Sequence, residues 1–149
     1  MRVTTATTQT LKNAAAAKKM LTVPEDGFAF CPVRDVLDRV GDKWSLLAIL
    51  YLGSAEQLRF NELRKNIAGI SQRMLTVTLR SLESDGLVAR TVYAEVPPRV
   101  EYQLTDRGQG LLEAVLHLGQ WAKEHAPAIL QARQQALAPT KPRSVNDLG

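Results

Sequence analysis

The chain has 149 residues, 45% of them hydrophobic, and 19 Lys and Arg against 15 Asp and Glu give a formal charge of +4. That suffices for one buried core, so a single domain with tails is expected, and the modest positive charge admits a nucleic-acid partner without requiring one. One cysteine, Cys31, excludes an internal disulfide framework, and no apolar run approaches the ~18 residues that cross a bilayer, so a cytoplasmic protein with no membrane partner is expected.

Residues 1–27 are predicted to be an N-terminal arm, flexible or dimer-associated. Lys12, Lys18 and Lys19 surround Ala14 to Ala17 and interrupt what would otherwise be the apolar stretch of a secretory signal. A turn-rich PEDGFAF leads into a domain assigned to residues 28–126. Its first helix is PVRDVLDRV, with Val33, Val36, Leu37 and Val40 at helical spacing and Pro32 in the first turn, where a missing N–H costs nothing. Gly41 ends that helix and Asp42 caps the next, KWSLLAILYLG, whose Leu46, Leu47, Ile49, Leu50 and Leu52 place it at the centre of the core, with Trp44 packed there too.

In RFNELRKNI, Phe60, Leu63 and Ile67 share one side of a short helix, and Gly69 supplies the tight connection to the next. That third helix opens on Ser71 as its cap. Leu75, Leu79 and Leu82 fall within a narrow sector at ~100° per residue, flanked by Met74 and Thr78, so Arg73, Thr76, Val77, Arg80 and Ser84 point away. Asp85-Gly86 closes it. LVARTVY and RVEYQL, joined by AEVPP, are then a hairpin, in which Val100, Tyr102 and Leu104 alternate with Glu101 and Gln103 as in a strand with one face covered. Thr105 starts a long helix with Leu111, Leu112, Val115, Leu118 and Trp121 along a stripe. Pro127 is predicted to break it, and residues 127–149 to form a last helical segment fading into a disordered tail.

Three helices, a sharp turn before the third and a hairpin after it make the expected class α+β, mainly α: a winged helix-turn-helix DNA-binding domain with C-terminal dimerisation helices. A helix fills the major groove of duplex DNA, and a hairpin beside it reaches phosphates or the minor groove. The candidate DNA-binding residues are Ser71, Gln72, Arg73, Thr76, Val77 and Arg80 on the third helix, Arg90 and Arg99 on the hairpin, and Arg64 and Lys65 before the turn. Arg73 and Arg80 suit guanine edges or phosphates, Thr76 either, and Val77 a thymine methyl. For Arg90, Arg64 and Lys65, solvation competes with phosphate contact. Leu111, Val115, Leu118 and Trp121 are the candidate dimerisation residues, because the stripe exceeds what a domain this small covers by itself.

The run from Cys31 to about Trp121 resembles the HxlR-type regulators, a branch related to the MarR-type winged-helix proteins. The segments that carry the resemblance are CPVRDVLDRVGDKW, LRFNELRKNIAGISQRMLTVTLRSLESDGLV and YAEVPPRVEYQLTDRG. It covers about two thirds of the chain. The resemblance implies a homodimeric transcription regulator, usually a repressor, with Gln72, Arg73, Thr76, Val77 and Arg80 in the reading helix and Arg99 in the wing. Val77 stands where the family more often has a polar residue, a departure that bears on the operator sequence rather than on DNA binding.

Cys31 supports two readings. Just before Pro32 at a helix start, its thiolate is favoured by the helix dipole, whereas most free cysteines are small buried hydrophobes. The resemblance adds that several relatives sense oxidants or electrophiles through a cysteine in a matching context, which makes a small oxidant or electrophile a candidate effector. No cofactor is expected, and no metal either, because His117 and His125 lie eight residues apart and not at the three- or four-residue spacing of a helical ligand pair. An enzyme is not expected either: no histidine lies near Cys31, and there are no suggestively paired carboxylates and no phosphate loop. The rival reading is a winged-helix protein-interaction module without DNA binding.

Overall fold

The computed structural model describes residues 8–22 and 32–139. Cys31, the PEDGFAF segment and the final ten residues, about which expectations were raised above, lie outside the described residues. The elements run α1 (Thr8–Leu21), α2 (Pro32–Val40), α3 (Lys43–Gly53), β1 (Leu58–Arg59), α4 (Phe60–Asn66), α5 (Gln72–Ser84), β2 (Val88–Tyr93), β3 (Arg99–Leu104) and α6 (Asp106–Leu137). The arm thus contains a helix of 14 residues, none of them buried.

At the centre lies α3, packed against α4, α5, α6 and β3. Its start is set by Asp42, whose Oδ1 accepts from the Trp44 and Ser45 amides at 3.1 and 3.0 Å while Oδ2 accepts from the Ser45 hydroxyl at 2.7 Å. Ala48, Ile49 and Leu52 are fully buried. Leu46, Leu47, Leu50 and Trp44, expected at the centre with them, pack at the margin and keep part of their surface open. A helix with neighbours on several sides still leaves gaps between them, and these residues fill the gaps. Lys43 extends its ammonium over the Trp44 ring, 4.3 Å from the centroid.

Leu63 of α4 and Ile67 just after it close the core from one side, and the chain turns at Gly69, φ +82°, into α5. Both ends of α5 are fixed by hydrogen bonds. Ser71 Oγ accepts from the Met74 amide at 3.0 Å, and at the other end the Leu87 amide donates to the Leu82 carbonyl and the Gly86 amide to that of Glu83, at 2.9 and 3.0 Å. This double closure requires the left-handed backbone that Gly86 adopts at φ +72°. Leu75, Leu79 and Leu82 are at most 2% exposed, each contributing roughly 1.5–3 kcal/mol of burial. Thr78 is buried beside them, whereas Met74 stays 41% exposed.

The sheet departs from the expected simple hairpin. Leu58 and Arg59 form a third strand, so the order is β1-β3-β2, all antiparallel, with Arg59 opposite Glu101 and Thr91 on Glu101's other side. β3 is therefore central, and Glu101, expected on an open face by its alternation with Val100 and Tyr102, is buried at 8% exposure. A two-residue strand carries no periodicity of its own, so its covering effect was invisible in the sequence.

Helix α6 begins at Thr105, whose Oγ1 accepts from the Gly108 amide at 3.1 Å and donates to the Gly86 carbonyl at 2.6 Å. One side chain thus joins the start of α6 to the end of α5. Gly108 lies against Leu87 so closely that a Cβ there would collide with the Leu87 carbonyl. Contrary to expectation, α6 runs unbroken through Pro127 for 32 residues, roughly 48 Å. The residues around Pro127 are exposed, so water can reach the Lys123 carbonyl that the missing N–H leaves free. Among the described residues, no helix is long and apolar enough to cross a membrane.

Burial opposes the charge on Asp42, but the Ser45 hydroxyl and the Ser45 and Trp44 amides outweigh it and hold the carboxyl below its ordinary range. A carboxyl depressed in the folded state contributes stability that is complete above its unfolded value, about pH 4, and is lost as pH falls through the lower folded value. Asp42→Ala should cost about 1 kcal/mol at neutral pH, and the difference from wild type should narrow below about pH 4. Urea unfolding at neutral and acid pH would measure both.

Candidate nucleic-acid interface

Burying the leucine stripe of α5 turns its opposite flank outward. Gln72, Arg73, Val77 and Arg80 are exposed, Val77 at 55%, and Thr76 is half-buried beside them. Arg73, Val77 and Arg80 stand four and three residues apart, one stripe over two helical turns, with the arginines roughly 10 Å apart along the axis. That span is about three base-pair steps. Among the described residues, neither arginine has a carboxylate within ion-pair distance, and both guanidinium groups are open to an outside anion.

Two hydroxyls of this face are already partly committed. Ser71 Oγ accepts from the Met74 amide, which leaves its proton to donate outward at the start of the helix. Thr76 Oγ1 donates to the Gln72 carbonyl at 2.9 Å, so its proton is used within the helix. It faces outward as an acceptor with a methyl group, narrower than the donor-or-acceptor role that its residue type alone allows. Arg64 and Lys65 lie exposed in the last turn of α4, where cations also complement the helix C-terminus.

Between α5 and the sheet runs a groove of about 380 Å³ lined by Phe60, Gln72, Thr76, Arg80, Glu83, Arg90 and Tyr102 among others. Arg90 reaches it from β2 and meets Glu83 of α5, Nε to Oε1 at 3.6 Å, both side chains well exposed. Such a surface pair is worth little, so Arg90 can be redirected to another anion at small cost. Burial pushes the Tyr102 hydroxyl up from its ordinary pKa, with Glu83 adding to the shift and Arg90 and Arg80 opposing it. It stays a neutral donor on the groove floor.

The wing arginine is placed differently from the expectation. Arg99 does not project freely: its Nε lies 3.2 Å from Oε1 of buried Glu101, its Nη2 lies 3.4 Å from Oε1 of Glu95, and its guanidinium covers the Tyr93 ring at 4.2 Å. Sequence reasoning missed this clamp. The cross-strand pairing of Tyr93 with Arg99 and of Arg59 with Glu101 creates it, and only the register of the sheet shows which residues face each other.

The four candidate dimerisation residues also divide. Val115 is 5% exposed and, with Leu112, packs on the domain's own core, and Leu111 packs against that core in part. These are not free surface in one protomer, because the first turns of α6 are needed to cover α3. Leu118 and Trp121 remain 53% and 51% exposed, joined by Leu116 and Leu130 at 54% each. Trp121 stacks on His125 with ring centroids 4.7 Å apart, and His125 Nδ1 lies 2.8 Å from the Trp121 carbonyl oxygen.

Known proteins share this arrangement. Residues 39–129 match the family model described as HxlR-like helix-turn-helix. The uncharacterized HTH-type transcriptional regulator YdeP of Bacillus subtilis is 43% identical over 113 residues, which cover 74% of this chain and 88% of that protein. Among solved structures, the putative transcriptional regulator YtfH from Salmonella typhimurium superposes with a TM-score of 0.65 at 38% identity, over 70% of this chain and 92% of its own. The redox regulator HypR in its reduced form gives 0.63 at 41% identity, over 67% and 98%. With its winged helix-turn-helix fold and a family match over more than half its length, this chain belongs to the HxlR-like helix-turn-helix family of transcriptional regulators.

Proposed function

We propose that this regulator is a cytoplasmic homodimer that binds a two-fold double-stranded DNA operator, acting as a repressor by occupying promoter DNA, with α5 in the major groove. The observation that carries the reading is the stripe Arg73, Val77, Arg80: two arginines without carboxylate partners among the described residues flank an exposed valine on a helix fixed at both ends. Framed by two open arginines, Val77 is placed to meet a thymine methyl while they meet base edges or phosphates. Ser71 and the first amides of α5 suit a phosphate at the groove edge, with Arg64, Lys65 and a redirected Arg90 as further phosphate contacts.

Dimerisation follows from the unused length of α6. In its first turns one face of the helix covers the core. By helical periodicity that face continues as Gly119, Ala122, Ala126, Ile129 and Leu130, small and then aliphatic, past the last buried residue. With the flank of Leu118 and Trp121 and the exposed Leu11, Met20 and Leu21 of α1, this is more apolar surface than a monomer normally leaves open. A second copy is the partner that fits. Two reading helices one turn of DNA apart, ~34 Å, then turn modest selectivity into a useful operator preference.

Control through the Cys31 thiol belongs to the same proposal. Its support is the position before Pro32 and the likeness to HypR, whose structures are titled reduced and oxidized forms of a redox regulator. With one cysteine per chain, oxidation leads to an intersubunit disulfide or a mixed disulfide with a small thiol, and addition of the thiolate to an electrophile leads to an adduct.

Duplexes selected from a random pool should show two-fold symmetry, and binding should weaken steeply with salt as phosphate contacts release counterions. A shallow salt dependence would favour a protein-interaction module instead. On the selected site, Arg73→Ala or Arg80→Ala should each cost about 1–3 kcal/mol or relax the preference at one base pair. Indifference to both would remove α5 from the interface. The double variant Leu118→Asp, Trp121→Asp should sediment as a monomer at micromolar concentration and lose the preference for two half-sites. Cys31→Ser should abolish any change in operator affinity caused by diamide or a quinone; a response that survives the substitution, or a wild type with none, would end the thiol assignment.

A further inference from the structure

The tip end of the wing carries more acid than base. Arg59 and Arg99 sit there with Glu62, Glu95 and Glu101, two guanidinium groups against three carboxylates, around a groove between the wing and the start of α4. A surface evolved only to attract phosphate would not be built so. The two carboxylates that hold Arg99 are also unlike each other. Glu101 has 9% of its side chain exposed and lies between Arg99 and Arg59, at 3.2 and 3.9 Å. Among the described residues, its Oε2 is buried without a hydrogen-bond partner, and so is Arg99 Nε, whose short approach to Oε1 is not aligned as a hydrogen bond. Glu95 is 51% exposed, and its Oε1 lies 3.4 Å from Arg99 Nη2.

We propose that Glu95 masks Arg99 in the free protein, occupying the place a DNA phosphate would take, while Glu101 and the Tyr93 ring keep the guanidinium in position for the exchange. The inference rests on the DNA-binding reading above and adds a specificity device to it. Glu95 is the replaceable partner because water already reaches it and its approach to Arg99 is the longer of the two, whereas Glu101 cannot leave without exposing a buried, half-satisfied pair. Exchanging one anion for another makes the wing contact nearly neutral on an arbitrary duplex. The unmasked arginines of α5 then carry the choice of sequence. Glu95 is a positioning and specificity residue here, acting through Arg99 rather than reading a base itself.

The test is a cycle of Glu95→Gln, Arg99→Ala and the double variant, each titrated with a random-sequence duplex about three helical turns long and with a selected operator, across a range of salt. Glu95→Gln should bind the random duplex roughly three- to tenfold more tightly, lower the ratio of operator to random affinity, and steepen the salt dependence by up to about one phosphate. In the Arg99→Ala background the same change should do much less, because the masked cation is gone. An unchanged random-duplex affinity in Glu95→Gln would overturn the mask, as would an equal gain with and without Arg99, which would mark Glu95 as a general repulsive charge. If wild type and every variant fail to bind any duplex, the DNA-binding reading falls and this inference with it; binding by wild type with an inert Glu95→Gln removes the inference alone.

Discussion

The contact between the leucine stripe of α5 and the buried side of α3 is the constraint on which the remaining arrangement hangs. Leu75, Leu79 and Leu82 meet a core built on Ala48, Ile49 and Leu52, and once they are hidden the rotation of α5 about its axis is decided. The flank carrying Arg73, Val77 and Arg80 has only one direction left to face. The end closures at Ser71 and Gly86 add the second degree of control, because a frayed helix would present those side chains over a range of positions. Rigid placement matters for a surface whose proposed task is to match base edges, where an error of an ångström forfeits a hydrogen bond.

Charge is distributed over the structure in two different ways. On α5 the arginines have no carboxylate partner among the described residues. On the sheet the arginines are paired: Arg90 loosely with Glu83, Arg99 more firmly between Glu95 and Glu101, Arg59 at longer range with Glu101. The difference follows from burial. β3 is the central strand, so a carboxylate on its covered face needs cations near it: β1 supplies Arg59 through its register, and β3 itself supplies Arg99 two residues before Glu101. A helix exposed along one whole flank has no such requirement.

The end of α5 and the start of α6 form a single joint. Thr105 bonds to Gly86, Gly108 lies against Leu87, and Arg107 Nη1 donates to the Asp85 carbonyl at 3.0 Å. Asp85 is held on its other side by Arg39 of α2, Nε to Oδ2 at 2.7 Å. The reading helix and the long helix proposed to form the dimer are therefore joined through a few short, geometrically demanding contacts.

Helix periodicity, capping residues and turn glycines made most of the architecture legible in the chain alone. Asp42, Ser71 and Thr105 act as caps, Gly69 and Gly86 adopt left-handed backbone, and the outward face of α5 was deducible because Leu75, Leu79 and Leu82 recur on one side at 3.6 residues per turn. These are local signals, each confined to a few neighbouring residues. What depends on pairing between distant segments was not legible. The two residues of β1 carry no pattern, yet they set Arg59 opposite Glu101, just as the β2–β3 register sets Tyr93 opposite Arg99. The stripe on α6 reads as continuous, but whether Val115 or Trp121 is covered depends on where the domain ends beneath it. Pro127 reads as a break, but in an exposed stretch of helix solvent can satisfy the carbonyl it frees. The residues alone determined which faces are apolar and where helices begin; the tertiary structure decided which of those faces are covered and which arginines are already paired, because burial and ion pairing belong to the contacts and not to the chain.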